Sequence, residues 1–423
     1  MKIKDSLPLK ILLMGLMTLL LLIPLLMVRS QIDDRQRAAR ESQSDVADSW
    51  GHAQQLAGPF LEFTYSVEVQ NGKEKTSKLE TTRIYPRTLF CDIDLSTQTL
   101  HRSIYDILVY GSQITLTGDF VIPAIYGEML SNGKGMALTD QQVVLGLSDL
   151  RGVDGTVSLR LGEQDYTFHS GSKRGHLEAA LIEPVRLDAA LMDGQTGIPF
   201  RLTCSLRGSS SLMVKPYGET TEVRMKSNCP DPSFTGDFLP AEREVTDEGF
   251  TARWSVSEIN RGAPDDTSFG VSLLQGVTQY QQAERSAKYG VLVIVLIFAA
   301  GLAVEVVTKK KINLVQYLVI GLSLIPFYAL VLAFSEFVSF PLAYAIAAAM
   351  TVAALLGYFR GILRDRAAWV LAAAVALAYL LSYFLLQMET YAFIAGTLVL
   401  FVLLTGVMYL TRNLNKESAA DQA

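Results

Sequence analysis

The sequence predicts an α-helical membrane protein with six transmembrane helices and a large β-rich domain inserted between the first two. Hydrophobic residues make up 50% of the 423 residues and charged residues only 19%. The apolar residues are grouped into six long runs instead of being spread evenly along the chain. A polar segment, residues 31–286, separates the first run from the second, and its apolar residues alternate with polar ones as they do in strands.

The first apolar run covers residues 11–28 and follows Lys2, Lys4 and Lys10. Its 18 residues would form a helix about 27 Å long, which is sufficient to cross a bilayer when the flanking residues lie in the interface. The run ends without the small residues that signal peptidase requires, and it is longer than the apolar part of most signal peptides. We therefore expect an uncleaved anchor within residues 1–30, kinked near Pro24.

Five further runs complete a predicted bundle within residues 287–411. They cover residues 289–307, 314–334, 337–359, 367–387 and 391–410. Basic residues follow the second, fourth and sixth spans, whereas acidic Glu336 and Glu389 follow the third and fifth. Because Lys and Arg accumulate on the cytoplasmic side, both termini, including the tail at 412–423, are predicted to be cytoplasmic and residues 31–286 to lie outside.

The spans contain few features that predict chemistry. Glu305 is close to the cytoplasmic end of the second span, where we expect it to pair with Lys309 one turn later. Pro326 is expected to kink the third span. The fourth span has a stripe of small residues at every fourth position, which predicts a helix-packing surface. The stripe consists of Ala345, Ala349, Ala353 and Gly357.

The external segment begins and ends with helical patterns. Apolar residues recur at helical spacing in residues 31–57, which predicts a stalk helix that continues the first span, with a solvated linker as the alternative. Residues 280–288 predict a second stalk. Between them, sets such as Cys91, Ile93 and Leu95 alternate with polar residues, and Asn-Gly and Asp-Gly pairs mark turns. These patterns predict antiparallel strands in a β-sandwich or two smaller β units, with residues 132–152 as the expected internal boundary.

The external segment is acidic. Residues 31–286 hold 24 Lys and Arg against 35 Asp and Glu, a net charge of −11. Such a domain would repel nucleic acids, so we exclude them as partners. The sequence around Ser170 and Lys173 matches S-x-x-K, but the flanking glycines indicate an exposed turn. The four histidines have no zinc-binding spacing, and we expect no catalytic, cofactor-binding or metal-binding residues from motifs alone.

Two other features of the external segment have alternative interpretations. Cys204 and Cys229 could form a disulfide if the strand of Cys204 pairs with residues 223–226; otherwise Cys204 is a small core residue. The Pro-rich loop 230–240 is either a rigid crossing that packs on the sandwich or a contact surface for a partner. The residues of this candidate contact loop are Asp231, Phe234, Asp237 and Phe238.

Several segments together resemble one family. They are CPDPSFTGDFLPAEREVTDEGFTARW at 229–254, AERSAKYGVLVI at 283–294, VQYLVIGLSLIPFYALVLAFSE at 315–336, LLLLIPLLMVRS in the first span and SDLRG at 148–152. The chain resembles the CreD family of bacterial inner-membrane proteins, also called cell envelope integrity proteins. This resemblance implies an inner-membrane protein of Gram-negative bacteria, with residues 31–286 in the periplasm. It also implies production under the CreBC two-component system and a link to envelope integrity, colicin tolerance and β-lactam response.

Two functional hypotheses follow. In the first, the periplasmic domain binds an envelope component or partner protein while the helices anchor it in the bilayer. In the second, the chain is a membrane-embedded enzyme or a transporter of lipids or small molecules, with a site at the junction between the external domain and the bundle. The resemblance transfers no catalytic residue, so the sequence leaves open whether the chain is an enzyme.

Overall fold

The computed structural model describes residues 7–71, 74–132, 136–171, 179–273, 278–308, 310–363 and 366–387, together with residues 394, 397, 401 and 405. The chain divides into two compact units. The helical unit consists of Met1–Ala39 and Val277–Ala423, and the β domain of Arg40–Gly276. These boundaries differ from the predicted ones, residues 31 and 286, by nine and ten residues.

Five helical segments among the described residues are long and apolar enough to cross a membrane: Leu9–Trp50, Gly290–Thr308, Leu314–Ser335, Phe340–Leu363 and Arg366–Gln387. The segment Leu314–Ser335 consists of the two helices that are named α6 and α7 below. The five segments correspond to the first five predicted spans. The sixth predicted span, 391–410, lies outside the described residues except for four single positions. The described helices are α1 (Leu7–Trp50), α2 (Ala124–Asn132), α3 (Glu258–Arg261), α4 (Thr278–Lys288), α5 (Gly290–Thr308), α6 (Leu314–Leu324), α7 (Pro326–Ser335), α8 (Phe340–Leu363) and α9 (Arg366–Gln387).

Helix α1 continues without interruption from the first apolar run to Trp50. The predicted stalk helix is thus confirmed up to Trp50, whereas residues 54–57 begin a strand instead. Gly51 ends the helix because its φ of +132° is a conformation that residues with a Cβ atom rarely adopt.

The second predicted stalk, helix α4, is helical but it is not a free rod. Tyr280, Ala283 and Ala287 on one of its sides are buried, and the helix packs against α7 and α9. Its apolar residues recur at i, i+3 and i+7, which places them on one face.

The third predicted span is divided at the proline, as expected. Helix α6 ends at Leu324 and α7 begins with Pro326. Proline lacks a backbone N–H and its ring clashes with the preceding turn, so one continuous helix is disfavoured there.

The small-residue stripe of α8 is exposed among the described residues, and its role as a helix-packing surface stays a prediction because most of the sixth predicted span lies outside them. Ala345, Ala349, Ala353 and Gly357 are all exposed. The buried face lies two positions earlier and includes Ala343, Ala347, Thr351, Leu355 and Phe359. This face combines small residues with large apolar side chains, and membrane helices associate through the van der Waals packing of such faces.

Glu305 does not depend on its own helix for a partner. The Lys10 ammonium donates to both oxygens of the Glu305 carboxylate, at 2.7 and 2.5 Å, and to the Ile312 carbonyl at 2.6 Å. Both charged side chains are largely buried, with 16% and 14% exposed. The hydroxyl of Tyr317 donates to Glu305 at 3.4 Å. The expected partner Lys309 lies outside the described residues, and the structure gives Glu305 this partner on α1 instead.

We expect Lys10→Ala or Glu305→Gln to lower the free energy of unfolding by about 1 to 3 kcal/mol, since each change leaves a largely buried charge without its partner. The double variant should cost much less than the sum of the two single changes. Thermal unfolding of the full chain in detergent measures this coupling. Arg29→Gln is the control, because Arg29 and Glu284 are 4.0 Å apart and more exposed, and such pairs contribute at most about 1 kcal/mol. Additive effects of the two changes would contradict the coupling.

The β domain contains two eight-stranded sheets. Sheet A has the order β13-β16-β11-β1-β5-β9-β8, with β2 paired to β1, and sheet B has the order β14-β15-β12-β3-β4-β10-β6-β7. The strands are β1 (Gln54–Asn71), β2 (Glu74–Ile84), β3 (Thr88–Arg102), β4 (Tyr105–Val121), β5 (Met136–Leu147), β6 (Ser158–Leu161), β7 (Gln164–Thr167), β8 (His169–Gly171), β9 (Ala179–Pro184), β10 (Gly197–Ser209), β11 (Ser211–Lys215), β12 (Thr220–Ser227), β13 (Ser233–Gly236), β14 (Glu242–Thr246), β15 (Gly249–Ser257) and β16 (Phe269–Ser272).

Both sheets bury one face in the same core. Leu61 and Leu145 of sheet A belong to one apolar cluster with Leu116, Leu202 and Trp254 of sheet B. The domain is therefore one sandwich, not two β units. Strand β5, which lies in the expected internal boundary, pairs with β1 and β9 within sheet A. The prediction of purely antiparallel strands is wrong for two pairs, since β1 with β11 and β3 with β12 are parallel.

Candidate functional site

The outer face of sheet A is covered. Phe60, Val144, Ala180 and Tyr217 form a second buried cluster on the side of sheet A that faces away from the main core. The rings of Phe60 and Tyr217 meet edge to face, with centroids 5.7 Å apart. This part of the outer face of sheet A is thus closed to a partner.

Charged side chains attach the segment that contains Arg261 and Asp265 to this face of sheet A. Asp265 accepts from the Tyr217 hydroxyl at 2.5 Å and pairs with Arg83 at 3.3 Å. Lys215 donates to the Asp265 carbonyl, and Arg261 donates to the Pro216 carbonyl at 2.5 Å. Burial and the neighbouring Asp265 carboxylate raise the pKa of Tyr217, which keeps it protonated. These interactions close the surface, because the buried donors are directed at acceptors of the protein itself.

The outer face of sheet B is open to solvent over its middle, whereas at one end Val46 and Trp50 of α1 cover Ile107 and Val109 of β4. Side chains on this side alternate strictly with buried core residues along β3, β10, β12 and β15. The strand registers place them in three transverse rows, which we name the open face. The rows are Ser255, Glu222, Phe90, Thr117, Arg201, Arg160 and Asp165; Glu242, Arg253, Arg224, Asp92, Thr115, Thr203, Ser158 and Thr167; and Glu244, Thr251, Lys226, Asp94, Gln113 and Ser205.

Charge on the open face is nearly balanced. Its three rows hold five basic and six acidic side chains, a net charge of −1, whereas residues 31–286 carry −11. Several of the charges pair across strands. Lys226 lies 2.8 Å from Asp94, Arg253 lies 3.0 Å from Glu222, and Arg160 lies 2.7 Å from Asp165.

Two cations and one aromatic ring on the open face remain accessible. Arg201 and Arg224 are exposed and form no ion pair with any residue that the structure describes. Phe90 is 45% exposed, although the residues on either side of it in β3 are buried. A groove of about 570 Å³ runs beside Arg224 and is bounded by β14 and by Asp92. The open face therefore combines hydrogen-bonding groups, free guanidinium groups and an aromatic platform.

The candidate contact loop packs largely on the core. Phe234 meets Phe250 and Trp254 with ring centroids 5.5 and 5.8 Å away, and Phe238 meets Phe269 at 6.0 Å. Both aromatic residues are half-buried. Asp237 accepts a hydrogen bond from the Ser268 N–H at 2.8 Å, and Asp231 is exposed. This placement favours the rigid-crossing interpretation.

The disulfide prediction is wrong. Cys91, Cys204 and Cys229 are all free and buried. The condition for a bridge was that the Cys204 strand pairs with residues 223–226, but β10 pairs with β4 and β6, and β12 pairs with β3 and β15. Burial raises the pKa of Cys204 to about 12, so its thiol is a small core group with little reactivity.

The remaining motifs give no site. Ser170 lies in the short exposed strand β8 and not in a turn, while its motif partner Lys173 lies outside the described residues. Within the described part of the chain, no three His, Cys, Asp or Glu side chains are grouped as metal ligands would be.

The SDLRG segment clamps the end of α1. The Asp149 carboxylate accepts hydrogen bonds from the N–H groups of His52, at 3.2 Å, and Arg151, at 3.0 Å. Arg151 reaches back to the Asp48 carboxylate at 3.0 Å. A Cβ atom on Gly152 would lie 2.2 Å from the Arg207 carbonyl, so only glycine fits there. We name this group of residues the helix clamp. In the sequence, this segment is distinguished only by its resemblance to the family.

Replacing Phe234 by Ala should lower the free energy of unfolding by about 2 to 3 kcal/mol, less than the 3 to 5 kcal/mol typical of a fully buried phenylalanine. Thermal or chemical unfolding of the full chain measures it. Asp231→Ala in the same loop is the matched control, with an expected change within about 0.5 kcal/mol. A stable Phe234→Ala variant that has lost envelope function would instead support the contact-surface interpretation.

The helix clamp should weaken in acid. Burial alone would raise the pKa of Asp149, but hydrogen bonds from Arg151 and His52 hold it below the ordinary pKa of an aspartate. The stabilising contribution of Asp149 is therefore present above the ordinary aspartate pKa and is lost as the pH falls through the lowered pKa. We expect Asp149→Asn to destabilise the chain by about 1 to 2 kcal/mol at pH 7, with a difference that shrinks toward pH 3. Asp154→Asn, at a more exposed ion pair, should have little effect. A difference independent of pH would refute this role.

A family model and one curated relative each match nearly the whole chain. A family model described as "Inner membrane protein CreD" matches residues 6–417. The inner membrane protein CreD of Escherichia coli (strain K12) is 30% identical over 420 residues, covering 94% of this chain and 91% of the relative. Among solved structures, an M1 zinc metallopeptidase of Deinococcus radiodurans matches 45% of this chain and 43% of its own at 15% identity, with a TM-score of 0.22. Because the family model and the Escherichia coli relative both match nearly the whole chain, the chain belongs to the CreD family of inner membrane proteins.

Proposed function

We propose that the chain is a cell-envelope protein that acts by binding an envelope component or partner protein on the open face of its periplasmic β domain. The helices anchor this domain in the inner membrane. In this proposal both termini are cytoplasmic and the β domain is periplasmic, as the distribution of Lys and Arg around the spans favours. The role in envelope integrity and the production under CreBC are likewise proposed from the family resemblance.

The observation that carries the proposal is the difference between the two outer faces of the sandwich. Phe60 and Tyr217 are fully buried on the outer face of sheet A. On the outer side of sheet B, by contrast, Phe90, Arg201 and Arg224 are exposed. Burying a large aromatic side chain is favourable, so an aromatic residue left exposed among polar neighbours is a reasonable contact for a partner.

The hypothesis of an enzyme or transporter makes a different prediction. It requires converging side chains that remain available to a substrate. Charged side chains converge around Asp265 in the β domain, but the donors of this cluster are directed at protein acceptors. No specific observation favours this second hypothesis over the first.

Site-specific photocrosslinking in living cells tests the proposal. A photoreactive amino acid in place of Thr115 or Thr203, on the open face, should give crosslinked adducts after irradiation. The control position is Ile259, which is 98% exposed and lies outside the open face. Adducts at Ile259 as abundant as those at Thr115 and Thr203, or an absence of adducts at the two open-face positions, would refute the proposal.

A further inference from the structure

We infer that the open face binds the glycan strand of the bacterial cell wall, whose sugar rings carry short peptides with free carboxylate groups. This inference rests on the proposed function, because it names the ligand class of the same surface. It is drawn from the chemistry of three parts of the open face: its centre, its exposed aromatic ring and its two free guanidinium groups.

The centre of the open face consists of uncharged polar side chains. Gln113, Thr115 and Thr117 on β4 lie beside Thr203 and Ser205 on β10. Hydroxyl and amide groups both donate and accept hydrogen bonds, as the hydroxyl groups of a sugar do. They already exchange such bonds across strands, with 2.9 Å between Ser205 and Gln113. A ligand rich in hydroxyl groups can replace water here without leaving a charge unpaired.

Phe90 supplies the apolar platform that a sugar ring needs. Its ring is the one aromatic group among the three rows of the open face, and it lies between Glu222 and Thr117. One face of a pyranose ring presents mainly C–H groups, which pack on an aromatic ring while the hydroxyl groups at the rim reach polar neighbours. An aromatic group surrounded by hydrogen-bonding side chains suits this amphipathic shape.

Arg201 and Arg224 lie on opposite sides of Phe90. Arg201 is in the same row, two strands away, which corresponds to about 10 Å. Arg224 is on the neighbouring strand β12, diagonal to Phe90. A guanidinium group binds carboxylate through two parallel hydrogen bonds. The pair can therefore hold carboxylates on both sides of a ring that stacks on Phe90.

The overall charge of the open face argues against other ligands. A polyphosphate or nucleic acid needs a clear excess of positive charge, but the face has a net charge of −1. A protein partner usually buries an apolar centre, and here Phe90 is the one large apolar group. A mostly neutral polymer with occasional carboxylates matches a balanced face with two free cations. Eight strands at about 4.8 Å spacing also offer roughly 35 Å for an extended strand to cross.

Cosedimentation of the full-length chain in detergent with purified, insoluble peptidoglycan tests this inference. The wild-type chain should pellet with the polymer. Phe90→Ala should weaken binding about two- to tenfold, the range expected for the loss of one stacked aromatic contact. Phe90→Tyr, which keeps a ring, should bind like the wild type, whereas Phe90→Leu should bind like Phe90→Ala. The Arg201→Ala and Arg224→Ala variants should each bind more weakly.

The control carries Arg186→Ala and Ile259→Ala, two exposed side chains outside the open face, and it should pellet like the wild type. Unfolding temperatures of all variants should be equal, because the changed side chains are exposed or half-exposed. Equal pelleting of the wild-type chain and the three Ala variants, or no pelleting of any chain, would overturn the glycan inference.

The two experiments separate the two proposals. If Thr115 and Thr203 crosslink to a protein while the chain ignores peptidoglycan, the glycan inference fails and the proposed function stands. If neither position crosslinks and no chain pellets, both fail.

Discussion

The burial of two sheet faces in one core is the constraint on which the β domain depends. Each strand presents side chains alternately to its two sides, so placing Leu61 and Leu202 in a shared interior commits their neighbours to the outside. Sheet A then covers its outer aromatic residues with a second layer. Sheet B leaves the outer side chains of its middle in water, and these side chains form the open face.

The partners of buried charged side chains are a second constraint, and it holds in both units. A charged group that leaves water must find a partner and further hydrogen bonds, or its burial is strongly unfavourable. Lys10 and Glu305 satisfy this rule in the helical unit, and Asp265 satisfies it in the β domain with Arg83 and Tyr217. Arg201 and Arg224 do not need such partners because water solvates them, and this leaves them free to bind a ligand.

The helix clamp gives the SDLRG segment a physical role. Gly152 is required because a side chain there would collide with the Arg207 carbonyl, and Asp149 is required because its carboxylate accepts two backbone N–H groups. In the sequence, these residues are distinguished only by the family resemblance. Their partners, His52 and Arg207, are far away in the sequence, and no local pattern links them to the segment.

The sequence by itself determined the apolar helices, the helical continuation of the first one beyond its apolar run, the break at Pro326 and the β character of the external domain. These properties depend on residues close together in the chain, whose spacing decides which side chains can share an apolar face. Only the tertiary structure decided that Cys204 lies beside β4 and β6, that Glu305 meets Lys10, that Ala345 is exposed and that Phe90 stands on an open sheet. Those outcomes depend on which distant segments become neighbours, and that follows from packing the whole core and not from any local period.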